Sequence, residues 1–325
     1  MALSKNVVWE IRTDGNANNG GGFDSTIAGA GTDYSQQASP QLSLTDIATV
    51  SPFTTLTSVT GGFTAAMIGN VIHITSGTNF VAHYYVITGV VNTNTITVDR
   101  ATALNTGSGG VGRVGGATNT VVSHPAVSGN IVYIRGGTYT VTGQTCTANS
   151  TSPDWIRYVG YDTIRGDKGR PIFDTTTTAF GFSAQYGSLE NIELIGTGTA
   201  VLSIGGFASF THIINCKITN SSVTSGRSGI LSSLSSGSMV ILGGEFKSTV
   251  GYAIRTTSTI QTAIVGAYIH NSNTGFSSGY YSYVFNCIFD SCTNGILSAG
   301  EGIYIGNTIY GGLLGGGNGL QIGKR

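Results

Sequence analysis

Glu193 and Glu245 occupy the same place in a repeated phrase of this sequence, and a facing pair of carboxylates is what glycoside hydrolysis requires. Aligned on Leu194, Ile218, Phe246, Ile269, Phe289 and Ile309, the residue one place earlier reads Glu193, Lys217, Glu245, Tyr268, Ile288 and Thr308. If each phrase is one layer of strand at ~4.8 Å spacing, the two glutamates lie about 9.5 Å apart. That is near the upper end of the separation at which an inverting glycosidase sets its acid and base. Lys217 stands between them, so the same residues also make a surface charge ladder, worth little energetically. The ladder is the preferred reading, and Glu193 and Glu245 are the candidate catalytic pair.

What positions these residues is the repeat itself. Three places before the anchor stand Asn191, Asn215, Gly243, Gly266, Asn286 and Gly306, all of the two types that enter the left-handed region most cheaply. Five places before it stand Leu189, Ile213, Ile241, Ile264, Val284 and Tyr304, all able to face a core. Two places before it the residues are mostly small, with Cys216 and Cys287 among them. Anchor spacings of 24, 28, 23, 20 and 20 residues point to a solenoid. Short alternating runs around a single bend, with no helical periodicity, make each unit about one coil of parallel strands. The chain therefore reads as an all-β parallel β-helix, with Asn side chains bonded along the stacked bends.

Composition agrees. Fifty glycines in 325 residues is about twice the usual ~7%, and charged residues make up 9% against a usual ~25%. Fifteen basic and fifteen acidic residues give no net charge, which argues against nucleic acid or an anionic membrane as partner. No apolar stretch approaches the ~18 residues of a membrane span. The opening "MALSKNVVWEIRTDG" lacks the apolar core of a signal peptide, so synthesis in the cytoplasm is expected.

Three regions precede the coils. Residues 1–54 hold a short strand and a Gly/Asn turn cluster, then "PQLSLTDIATV", where Ser43 ahead of Leu44 and Asp46 reads as the cap of one or two helical turns ending near Pro52. Residues 55–104 carry three alternating strands, a small β insertion. Residues 105–129 read as a Gly-rich linker, and the β-helix runs from 130 to 325. After Ile309, "YGGLLGGGNGLQIGKR" offers no cap, so that end is expected to lie against another copy or another protein.

Other chemistry-bearing residues read as architecture. "GSGGVG" (Gly107 to Gly112) matches a dinucleotide fingerprint in letters, but no helix pattern follows. His73, His83, His124, His212 and His270 lack ligand spacing, so no metal is expected. Cys216 and Cys287, three coils and about 14 Å apart, are too distant to bridge and read as core fillers; a Cys287–Cys292 bridge is the lesser alternative. Asp162 and Asp167, with Arg165 and Arg170, read as a loop excursion tied by local ion pairs. Asn149 and Asn220 lie in glycosylation sequons. Tyr280 and Tyr281 fall at a coil turn, where they are candidates to stack on sugar rings or to pack against a neighbouring subunit.

"VWEIRTDGNANNGGG", "NIVYIRGGTYTV", "IRYVGYDTIRGDKGRPIF" and the Asn/Gly-bend coils together resemble the right-handed parallel β-helix proteins of the pectate-lyase-like group. The resemblance is closest to bacteriophage virion proteins built on that fold, and it covers the first 25 residues and roughly 130–320. A lyase of that group would hold clustered acids for Ca²⁺ beside a base. This chain offers single acids, Asp290 and Glu301, so no catalytic residue carries over. The resemblance implies a virion component (tail fibre, spike or capsid decoration) without cofactor, assembled as a homo-oligomer, with a trimer favoured. Its partners would be other virion proteins and a surface polysaccharide. A tailspike depolymerase and a cell-surface adhesin are the alternatives.

Overall fold

The computed structural model describes residues 3–122, 126–147, 154–205, 210–234, 236–257, 260–298, 301–310, 313–315 and 320–322. The chain divides into two compact units, Met1–Arg135 and Gly136–Arg325.

The second unit is the solenoid, with about seven turns of stacked parallel strands. Each coil gives one strand to each of three parallel sheets. One coil contributes Phe210–Ile214, Lys217–Asn220 and Ser228–Ser232, and the next contributes Ser238–Leu242, Glu245–Ser248 and Tyr252–Thr256. The anchor residues pair in unbroken register in the second sheet, from Leu194 through Ile218, Phe246, Ile269 and Phe289 to Ile309. The column reaches further back, through Phe173 to Tyr139. The first sheet aligns Leu189, Ile213, Ile241, Ile264, Val284 and Tyr304 in the same way. A third apolar column, Leu202, Ile230, Ile254, Phe276 and Ile296, completes the interior. Apart from the half-buried Ile309, these side chains are buried, because alternate residues of a strand must all point to one side.

Between the first and second sheets every coil turns at one residue. Asn191, Asn215, Gly243, Gly266, Asn286 and Gly306 all have φ between 50° and 68°, as their types predict. Asn271 and Ser291 take the same conformation at the bend between the second and third sheets. All four cysteines are free and buried, and no Cys287–Cys292 bridge forms. Burial pushes the Cys146 and Cys216 thiols up to about 12, so they fill core space without thiolate reactivity.

Backbone bonds to one carboxylate hold the loop 162–169. The Asp167 carboxylate accepts the backbone N–H groups of Asp162, Thr163, Ile164 and Gly169 at 2.8–3.0 Å. These bonds hold its pKa well below the usual carboxylate range. Arg170 leaves the loop and donates to the Asn215 carbonyl and side-chain oxygens at 3.0 and 2.6 Å, bracing the bend column.

The first unit pairs Val8–Ile11 antiparallel with Gly22–Phe23 and parallel with Ile131–Arg135. Trp9, fully buried, donates its indole N–H to Asn130 at 3.0 Å. Six further strands close into an antiparallel barrel: Leu42–Thr49, Thr55–Thr57, Val71–Phe80, His83–Asn92, Thr95–Val98 and Ala103–Val114. Two sequence expectations change here. The segment expected as capped helical turns is the strand Leu42–Thr49. It sends Leu44 and Ile47 into the barrel core across a register shift, which obscures the alternation. The first part of the expected linker is the strand Ala103–Val114, so the β insertion runs from Leu42 to Val114. Its glycines are close-approach positions: a Cβ on Gly110 or Gly112 would meet Ile47 at 2.9 or 2.8 Å. The GSGGVG match is therefore barrel wall.

Candidate functional site

Outward positions of the second sheet form two columns, because residues flanking an inward anchor must point to solvent. One column is Glu193, Lys217, Glu245, Tyr268, Ile288 and Thr308, in continuous register. The other includes Lys247, His270, Asp290 and Tyr310. Their functional groups are engaged with one another. Lys217 Nζ lies 3.1 Å from Glu193 Oε1. His270 Nε2 lies 3.1 Å from Glu245 Oε1, and Asn271 Nδ2 lies 2.9 Å from His270 Nδ1. Tyr268 stacks on His270 with ring centroids 4.6 Å apart and donates its hydroxyl to Asp290 at 2.9 Å.

This bonding fixes what the site can do. Both ring nitrogens of His270 are engaged, Nδ1 by the Asn271 amide and Nε2 by Glu245. The imidazole lone pair that a general base would use is thus already occupied. Glu193 and Glu245 are brought to one face, as the repeat predicts, but Lys217 engages Glu193 and His270 engages Glu245. An inverting hydrolase instead needs an acid and a base facing a gap with room for water. Here each candidate carboxylate faces a basic side chain.

Beside these columns, at the bend into the third sheet, lies an open recess of about 480 Å³. Lys247, Asn271, Asn273 and the hydroxyl residues Thr249, Ser272, Ser291 and Thr293 line it, giving it one cation, two amides and four hydroxyls. No group of three or more His, Cys, Asp or Glu that could hold a metal occurs among the described residues. His73 and His83 lie in the first unit, His212 on the first sheet and His270 on the second; His124 lies outside the described residues.

Tyr280 and Tyr281 lie at the turn from Thr274–Ser278 to Ser282–Phe285 and pack edge to face, with centroids 4.4 Å apart. Tyr280 remains exposed. Asn220 is no glycan acceptor in the folded chain: it is buried and donates its amide to the Gly198 and Ser228 carbonyls. Asn149 lies outside the described residues.

No family model, curated protein or solved structure matches this chain. Its function has to be read from its own surfaces.

One such surface went unread in the sequence. On the outer face of the first sheet, Trp155, Tyr186 and Phe210 line up on successive coils, since Ile156 pairs with Gly187 and Tyr186 with Phe210. Tyr186 and Phe210 stack at 5.0 Å, and the indole of Trp155 lies 4.1 Å from the His212 ring. Arg157 grips Glu190 beside them through two bonds of 2.8 and 2.7 Å, and Ser188 donates a third at 2.7 Å. Burial works to raise the Glu190 pKa, but the Arg157 and Ser188 bonds together outweigh it and leave it lowered. A row of two half-buried rings and the exposed Phe210, beside a fixed ion pair, offers a surface for amphipathic rings with apolar faces and hydroxyl edges. The available signal was position: Tyr186 and Phe210 each stand eight residues before an anchor.

Proposed function

We propose that this chain is a structural component of a bacteriophage virion, of the tail-fibre, spike or capsid-decoration kind, which binds a surface glycan or receptor without cleaving it. It associates with other virion proteins and with further copies of itself. The observation that carries the binding-not-cleaving half is the engagement of both candidate carboxylates, Glu193 by Lys217 and Glu245 by His270. The virion half is supported by the low-charge solenoid and by the resemblance of its coils and of "IRYVGYDTIRGDKGRPIF" to phage β-helix proteins. Glycan binding is supported by the aromatic row Trp155–Tyr186–Phe210. The depolymerase reading keeps one observation in its favour, two glutamates two coils apart on one outward face.

Two experiments decide. Mass spectrometry of gradient-purified phage particles should find the chain among the virion proteins; its absence there sinks the virion reading. Recombinant chain incubated with host surface polysaccharide should be retained on it and leave its length unchanged. Trp155→Ala and Phe210→Ala should weaken retention several-fold. Shortening of the polymer that Glu193→Gln or Glu245→Gln abolishes would install the depolymerase in its place.

A further inference from the structure

Phe210 does not end the column it belongs to. It pairs with Ser238, and Ser238 pairs with Gln261. Thr262 pairs with Ser282 and donates its N–H to the Tyr281 carbonyl at 3.2 Å, so Tyr281 stands next after Gln261. Alternation turns the first residue of each strand, or the one just before it, outward wherever the second is buried. The column therefore runs Trp155, Tyr186, Phe210, Ser238, Gln261 and Tyr281 over successive coils. Rings stand at both ends, with Tyr280 packed against Tyr281, and the middle is polar. Phe210, Gln261 and Tyr280 are exposed, and the rest are half-buried. The side chains of Ser238 and Gln261 have no hydrogen-bond partner among the described residues.

We infer that this column is one continuous track for a linear, uncharged polysaccharide lying along the solenoid axis. Sugar rings stack at the Trp155 and Tyr281 ends, and Ser238 and Gln261 bond to hydroxyls between them. The inference rests on the reading that the aromatic row holds a glycan; it extends that site and names the class of ligand. Three features select the ligand. The track is one side chain wide, and five steps of ~4.8 Å make it about 24 Å long, a shape for an extended polymer rather than a compact molecule. Its chemistry alternates as a sugar chain does, with faces that stack on rings and edges that exchange hydrogen bonds. Its charge is wrong for a polyanion. From Ile156 to Phe285 the described strands of the first sheet carry Arg157, Glu190 and His212 as their charged or basic side chains. Arg157 is neutralised by Glu190, and burial lowers the His212 pKa. Asp154 precedes Trp155 in the chain, and the exposed Glu301 follows Tyr281 in the column, its carbonyl accepting from Ser282 at 3.1 Å. The acidic residues at the two ends add no attraction for a polyanion, which meets no uncompensated cation along the track.

The test is retention of the full chain on immobilised bacterial polysaccharides, neutral and acidic, followed by binding of graded oligomers cut from a retained one. Neutral unbranched polymers should be retained, and oligomer affinity should rise with length until both ends of the track are spanned. Gln261→Ala and Tyr281→Ala should weaken long oligomers several-fold and leave short ones, held at the Trp155 end, unchanged. Trp155→Ala should weaken both. Retention of acidic polymers alone overturns the ligand class. If Trp155→Ala lowers the affinity for long oligomers while Gln261→Ala and Tyr281→Ala do not, the track is overturned and the glycan reading stands. Retention on no polysaccharide removes both. Should the variants fail to fold, hydroxyl-radical footprinting of the unaltered chain decides. A bound long oligomer should slow oxidation of Tyr186 and Tyr281 together and spare Tyr310, exposed on the second sheet. Protection of Tyr186 without Tyr281 contradicts the continuous track.

Discussion

The side-chain amide of Asn215 donates to the side-chain oxygen of Asn191 at 2.8 Å, from one coil to the next, and both residues hold φ near +50°. The bend column thus carries two stabilising effects in one residue type: tolerance of the left-handed conformation and a bond along the stack. Asn215→Gly should lose the side-chain bonds to Asn191 and from Arg170, about 2 kcal/mol, and Asn215→Ala should lose those and the left-handed tolerance as well, about 3 kcal/mol. Urea denaturation midpoints measure the difference. A glycine variant no more stable than the alanine variant would contradict the conformational part of this explanation.

Neighbouring residues of one strand should differ sharply. Phe246 is buried in the anchor column, so Phe246→Ala should cost about 3–5 kcal/mol. Glu245, one residue earlier, points outward, and Glu245→Gln should cost no more than about 1 kcal/mol. The Glu193–Lys217 pair should show a coupling energy under about 1 kcal/mol in a double-mutant cycle, falling as salt is added. A coupling well above that would mean the ladder contributes more to the fold than its exposure allows.

The Glu190–Arg157 pair predicts an acid dependence. The folded-state pKa of Glu190 lies below its unfolded value, so its contribution is complete above about pH 4.3 and is lost as pH falls through the lowered value. Glu190→Gln should therefore destabilise the solenoid near pH 6 and cost less near pH 3. Equal costs at the two pH values would show that the carboxylate's charge is not what matters.

In the first unit, His73 stacks on Tyr84 at 3.8 Å, and its Nδ1 is buried with no partner among the described residues. Burial lowers its pKa, and the nearby charges of His83 and Arg113 act in the same direction. A neutral histidine in the fold and a titrating one in the unfolded chain make stability complete above about pH 6.5 and falling as pH drops below it. His73→Phe should flatten the pH dependence of the barrel's thermal midpoint between pH 7 and 5. An unchanged slope would move the effect to His83, whose pKa burial also lowers.

The second-sheet anchor and bend columns were legible in the sequence because six coils repeat one spacing from a forced turn residue. Tyr139 and Phe173, which belong to the same column, were hidden by the loop held by Asp167, which lengthens the spacing. That loop also separates Trp155 from the aromatic residues it aligns with. The barrel boundaries were missed for a different reason. Bulges break the period in Leu42–Thr49 and Ala103–Val114, and glycines that exist to admit Ile47 and Phe80 look like linker. Glu193 and Glu245 were correctly placed on one face, but the bond from His270 to Glu245 depends on a residue 25 positions away that no local spacing reveals.

The most direct test of the central claim is immunogold electron microscopy of intact phage particles, with antibody raised against the recombinant chain. Label on the particles is predicted: at the tail tip for a fibre or spike, or evenly over the head for a decoration protein. Particles without label, in a preparation whose antibody recognises the folded chain, would contradict the virion assignment.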